Sequence, residues 1–179
     1  MSSATLVSVS EYIATSYRPD RDYIDGQILE RNVGERDHSW IQGEILLLLA
    51  QYRKDQLFAF PEQRIQVKPT RFRIPDISVT RGFPQEQIFT APPSHCIEAL
   101  SPDDSLSSMQ ERIDDYLTFG VENIWIVDLR RKRAFWVDKA GIHEASRAIL
   151  EAIGAPIRMD LPLLWSARAA LGIADDNLG

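Results

Sequence analysis

Two acids in this chain sit among apolar neighbours. Asp76 follows Pro75 and opens the run Asp76-Ile77-Ser78-Val79, and Glu98 lies inside Cys96-Ile97-Glu98-Ala99-Leu100. A carboxylate in such a strand is costly to bury unless something offsets its charge. If the two strands pair, both carboxylates can project toward one point. Two hard oxygen donors suit Mg2+ or Mn2+: Mg2+ takes one or two protein carboxylates and keeps its other positions for water and phosphate. A cation held there lowers the pKa of a bound water and neutralises charge on a scissile phosphate. The spacing alone equally fits a structural acid, with Glu98 paired to an arginine.

The elements that must position these acids are readable in outline. Ser8 and Glu11 fit a capping box for a short helix, 9–16. Tyr23 to Leu29 reads as a hairpin folded at Asp25-Gly26. Asp37 is expected to cap a long helix with Ile41, Ile45, Leu48 and Tyr52 on its apolar face. Short strands follow around Ile65 and Val67, then Ile77 and Val79, then 96–100, which Ser101-Pro102 ends. A further helix carries Leu106, Met109, Ile113, Tyr116 and Leu117 and stops at Gly120. Ile124 to Val127 is an apolar run of the kind buried in a sheet centre. Basic residues 130–133 form a turn into a strand from Ala134 to Val137. A weak strand around Ile142, a helix near 145–152 and an apolar closing segment from Leu161 to Trp165 complete the chain, whose last five residues are expected to fray. This order predicts one α/β (α+β) domain over residues 1–179, with a core from about 9 to 165 and a mixed β-sheet flanked by helices.

Composition narrows the function. The 179 residues are 44% hydrophobic and 26% charged, which fits one compact domain. The longest apolar stretch, Ile45 to Ala50, is too short to span a bilayer, so no membrane partner is expected. The N-terminus lacks a basic region followed by an apolar run. One cysteine, Cys96, excludes an internal disulfide and a cysteine-based zinc site and points to a reducing cytoplasm. The net charge of −6 is a weak argument against nucleic acid, because only a local basic surface is needed. Arg64, Lys68, Arg71 and Arg73 occur with no acid between them and form one candidate DNA contact. Residues 130–133 form another, although a charged run at a hairpin turn is often only solvated.

Three longer segments carry a resemblance. They are Arg73-Ile74-Pro75-Asp76-Ile77-Ser78-Val79, then Cys96 to Pro102, then Arg112-Ile113-Asp114-Asp115-Tyr116 with Gly120-Val121 and Trp125-Ile126-Val127-Asp128. Together with the Asp25-Gly26 hairpin and His38 at the start of the long helix, they resemble the bacterial Uma-type restriction endonuclease family. This is a branch of the PD-(D/E)XK nuclease superfamily, long catalogued as a domain of unknown function. The resemblance runs from about Val9 to Trp165. It implies a restriction-endonuclease-like core and, by analogy, Mg2+-dependent hydrolysis of DNA phosphodiesters, with Asp76 and Glu98 as metal ligands and His38 as a further site residue. Fold analogy alone does not establish activity.

One position departs from the superfamily pattern. The lysine two residues after the glutamate is Leu100 here. The family resembles a version in which the following helix supplies the basic group in a Lys-x-x-x-Tyr spacing, and that position is Arg112, four residues before Tyr116. Residues i and i+4 share a helix face. Arginine cannot serve as a general base, but it can clamp a phosphate and stabilise developing charge. It can equally pair with Asp115, Asp104 or Glu98. His38 reads either as a contact to metal, water or phosphate or as an ordinary helix-start histidine. Glu44 could serve as an acid of the long helix, and Gln63 and Arg64 could line the cleft. His95 and His143 have no partner at metal-ligand spacing and read as structural or surface residues. The loop Asn32-Val33-Gly34 could approach DNA or simply connect.

Three functions fit these observations: a metal-dependent nuclease, a weak or inactive nucleic-acid-binding module that keeps the fold, or an interaction protein with structural acids. In the last, Ile124–Val127 and Leu161–Trp165 would support a homodimer. No Gly-rich phosphate loop, dinucleotide fingerprint or Ser-His-Asp context is present.

Overall fold

A computed structural model describes residues 6–30, 35–101, 109–146 and 148–171. The expected loop at residues 32–34, Asp104, Leu106 and the terminal residues 175–179 lie outside them. The chain opens with α1 (Val9–Ala14), where Ser8 Oγ accepts from the Glu11 amide at 3.2 Å. Strands β1 (Asp22–Ile24) and β2 (Gln27–Leu29) make the expected hairpin. Asp25 and Gly26 take φ values of 48° and 94°, the left-handed pair that a two-residue hairpin turn requires.

Helix α2 (Arg36–Ala50) is capped by Glu35 without a side-chain bond, so Asp37 lies inside the first turn instead of capping it. Its buried stripe is Ile41, Ile45 and Leu49, at four-residue spacing. Leu48 is only partly buried, and Tyr52 falls on a tighter 3-10 turn, Gln51–Asp55, beyond the helix. Strands β3 (Leu57–Pro61), β4 (Ile65–Lys68), β5 (Arg71–Arg73), β6 (Ile77–Arg81) and β7 (His95–Ala99) follow. Helix α3 (Gln110–Phe119) ends at Gly120, whose φ of 100° makes it a left-handed cap. Then come β8 (Asn123–Asp128), β9 (Arg133–Asp138) and β10 (Gly141–Glu144). The helix expected near 145–152 is not formed. Residues Ile149–Glu151 are strand β11, paired antiparallel with β12 (Arg158–Asp160), and the last apolar segment is helix α4 (Leu161–Ala170). An apolar run this short does not separate helix from strand, and here the partner strand decides.

The central sheet has the order β10-β9-β8-β7-β6-β3. Only β7 and β8 are parallel, with α3 as their crossover; every other pair in this sheet is antiparallel. Alternation splits its side chains between two cores. Ile77, Val79, Ile97, Ala99, Trp125 and Val127 face α2 and α4, while Cys96, Ile124 and Ile126 face α3. A smaller sheet, β2-β1-β5-β4, packs with α1 around Tyr12, Tyr23 and Phe72. Ile124 to Val127 is wholly buried between β7 and β9, which removes it as a dimer face. No described helix is long and apolar enough to cross a membrane.

Candidate active site at the end of the central sheet

The site forms where β6 begins and β7 ends. Ile77 pairs with Ile97, so the next residues outward are Asp76 and Glu98. Both are buried. Asp76 Oδ2 accepts from the Ala99 amide at 2.8 Å and lies 3.1 Å from His38 Nε2. The Asp76 carbonyl accepts from Gln42 Nε2 at 2.8 Å. His38 and Gln42 are one turn apart on α2, so the N-terminal end of that helix grips both the carboxylate and the carbonyl of Asp76. Gln42 was detectable only as the i+4 neighbour of His38.

Glu98 is held from the other side. Its parity with Cys96 on β7 points it toward α3, where Tyr116 donates to Oε1 at 2.5 Å and Arg112 Nη1 donates to Oε2 at 2.9 Å. The i,i+4 pair expected to share a helix face therefore converges on one carboxylate. Of the acids proposed for Arg112, Glu98 is a partner. A second partner is Asp22, whose Oδ2 is 3.3 Å from Arg112 Nη2. Burial works to lower the Arg112 pKa, but Glu98 and Asp22 outweigh it, and the guanidinium holds its proton more firmly than usual. Burial pushes the Tyr116 hydroxyl well up, with Glu98 acting in the same direction, so the phenol remains a donor.

The basic stretch 64–73 is not an open cationic face. Arg64 lies over the Tyr12 ring at 4.6 Å and bonds Asp20 at 2.5 Å. Lys68 Nζ bonds Asp115 Oδ1 at 2.8 Å. Arg71 reaches Asp25, Glu111 and Asp115. Arg73, only 3% exposed, bonds Asp115 Oδ2 through Nε at 2.9 Å and Asp22 Oδ2 through Nη1 at 3.1 Å. The acids are absent from the stretch itself and arrive from Asp20 just before β1, from the β1–β2 hairpin and from α3. Burial would raise the Asp115 carboxyl, but Lys68 and Arg73 hold it below its ordinary value. Gln63 braces the loop by donating to the Arg64 and Gln87 carbonyls. Glu44 is half-buried on α2 and not part of the His38–Asp76 contact.

The second basic run behaves differently. Residues 129–132 form the β8–β9 turn, and Arg130, Arg131, Lys132 and Arg133 are all exposed. Because β7 and β8 are parallel, with Glu98 opposite Ile126, this turn leaves the sheet at the same end as Glu98. Arg131 pairs with the buried Asp128, and Arg133 pairs with Glu144 at the surface. His95 is buried, with Nδ1 2.9 Å from Ser94 Oγ and its ring edge-on to Trp125; His143 stacks on Trp136 and bonds Asp138. A cavity of about 710 Å³ opens elsewhere, lined by Val121, Trp125, Val137 and Leu150 among others, and none of Asp76, Glu98, Arg112 and His38 lines it.

A buried pair of carboxylates at adjacent strand ends, gripped by one helix from each face, is the candidate site of this mixed α+β core. The chain belongs to the Uma2 family, described as "Putative restriction endonuclease", which matches residues 11–166. A crystal structure of a putative nuclease belonging to DUF820 from Anabaena variabilis ATCC 29413 shares the fold: TM-score 0.79, 23% identity, 89% of this chain and 98% of that one. A DrdV–DNA complex aligns far more loosely, at TM-score 0.43 and 15% identity over 78% of this chain and 12% of that one. No curated protein matches the chain.

The two carboxylates at neighbouring strand ends are donors of the type and number that Mg2+ takes from protein, with Tyr116 and Arg112 bonded to the Glu98 oxygens. Among the described residues, no group of three or more His, Cys, Asp or Glu side chains is arranged to hold a metal.

Proposed function

We propose that this protein is a divalent-cation-dependent endonuclease acting on DNA phosphodiesters, with Asp76 and Glu98 as the residues that hold Mg2+ or Mn2+. The observation that carries this reading is the adjacency of two buried acids, Asp76 and Glu98, at neighbouring strand ends, each anchored by a different helix. Burying two acids side by side is costly unless cations compensate them, and this arrangement suits a site built for function more than one built for stability. A bound Mg2+ or Mn2+ supplies an acidified water and charge neutralisation at the phosphate.

The chain's own groups do the rest. His38 and the Ala99 amide fix the Asp76 carboxylate, and Gln42 fixes its backbone. Tyr116 keeps its proton and orients Glu98. Arg112, 21% exposed at its side chain, keeps a permanent positive charge beside Glu98 and can stabilise charge developing on the phosphate. It cannot accept a proton from water. The exposed turn 130–133, at the same end of the sheet, supplies phosphate contacts that are screened by salt.

A second reading, a weak or inactive nucleic-acid-binding module, is favoured by one observation: Arg112 already spans Glu98 and Asp22. Thermal shift with Mg2+ and Mn2+, run with plasmid nicking, separates the two. The nuclease reading expects cation-dependent stabilisation and nicking in the parent, both lost in Asp76→Asn and Glu98→Gln. Metal shifts unchanged in both variants would remove the mechanism. Metal and DNA binding without nicking would favour the second reading.

A further inference from the structure

Asp22 belongs to no segment that drew attention in the sequence, yet it is 1% exposed and tied to three groups around the site. Oδ1 accepts the Ile74 amide at 3.1 Å. Oδ2 accepts Arg73 Nη1 at 3.1 Å and Arg112 Nη2 at 3.3 Å. Ile74 lies two residues before Asp76, and Arg112 donates its other nitrogen to Glu98 at 2.9 Å. One carboxylate on β1 therefore touches the strand entry that delivers Asp76 and the cation that faces Glu98.

We propose that Asp22 is a positioning residue for the nuclease reaction, acting through Arg112. An arginine bonded only to Glu98 could swing about its long stem. With Nη1 on Glu98 and Nη2 on Asp22, the guanidinium plane is fixed by two fork arms of the kind arginine suits. The fixed plane presents its charge in one direction, which is what preorganised transition-state stabilisation requires. Asp22 also compensates Arg73, so its role must be separated from plain stability. Arg73 keeps Asp115 through Nε at 2.9 Å when Asp22 changes. Asp22→Asn preserves an oxygen for the Ile74 amide while removing the charge that Arg112 meets.

The inference rests on the nuclease reading, so two measurements are needed. The first does not depend on activity. Arginine-labelled 15N spectra should show Arg112 with distinct Nη1 and Nη2 signals, assigned by their loss in Arg112→Lys. In Asp22→Asn these signals should merge as rotation is freed, while those of Arg73 stay distinct. The second is nicking in Mn2+. Asp22→Asn should lower kcat by 10-fold to 100-fold with KM within about twofold. Added to Arg112→Lys, it should cost no more than about a further twofold, since the residue it acts through has already been changed. Arg112 signals that stay distinct in Asp22→Asn, or full multiplicative losses in the double variant, would overturn the assignment. A parent that never nicks DNA defeats the nuclease reading and with it the catalytic part of this one. The spectra then decide alone whether Asp22 orients Arg112.

Discussion

The strand that carries Glu98 begins with a buried neutral histidine, His95, which makes folding stability depend on pH. Burial, assisted by Arg81, lowers the His95 pKa from 6.5 to about 3. Ser94 Oγ donates to the Val79 carbonyl at 2.9 Å, so the same oxygen accepts from His95 Nδ1–H, which makes Nε2 the bare nitrogen. No partner for Nε2 is found among the described residues. The native pKa is depressed, so the stabilisation is present above the unfolded value and is lost as pH falls toward the native value. At about pH 4.5 an unfolded His95 is protonated and a native one is not, which costs about 2.7 kcal/mol relative to about pH 7.5, using 1.36 kcal/mol per pKa unit. The figure hardly changes for any native value below about 4, because the native ring stays neutral throughout the window. His95→Leu should remove this component. Urea unfolding followed by tryptophan fluorescence at both pH values gives the comparison, and the fixed cost of the substitution cancels between them. The parent should lose roughly 2–3 kcal/mol more than the variant on acidification. Equal losses in the two proteins would show that His95 is not held neutral in the fold, and the reasoning would fail.

Other perturbations test the site and its supports. Tyr116→Phe leaves Glu98 with one hydrogen bond fewer in a buried setting, and urea unfolding should register a loss of about 1–3 kcal/mol. Gly120→Ala forces a side chain into φ of 100° at the end of the helix carrying Arg112, and should cost about 1–2 kcal/mol by the same measurement. Replacing Arg131 and Lys132 together by alanine should weaken DNA binding and flatten its dependence on salt, read by fluorescence anisotropy across a salt series; an unchanged slope would remove the turn from the interface. Lys68→Ala should leave that slope nearly unchanged, because Lys68 is bonded to the buried Asp115 on α3 and is less exposed than Arg131.

Local signals were legible and distant ones were not. The Ser8 cap, the Asp25-Gly26 turn and the Gly120 stop each depend on a few neighbouring residues, and each formed as read. Asp76 and Glu98 stood out because acids inside apolar strands conflict with their surroundings. Asp22 and Asp115 sent no such signal: each is an ordinary polar residue in sequence, and their partners lie 42 to 90 residues away for Asp115–Arg73 and Asp22–Arg112. The stretch 64–73 is not the open basic face its sequence suggests for the same reason, since nothing nearby in sequence reveals the acids that α3 and the first hairpin bring to it. Ile149–Glu151 carries no local strand signal, because its strand identity comes from pairing with Arg158–Asp160.

The grip of α2 on Asp76 has a consequence for the hydrophobic core. His38 and Gln42 project from the same helix whose Ile41, Ile45 and Leu49 fill the layer against the sheet. A rigid helix cannot slide at one level and stay put at another, so trimming Ile45 would let the whole rod settle and drag the two anchoring side chains with it. Greasy residues in the core thus become tuning screws for the placement of the Asp76 carboxylate, although none of them touches it.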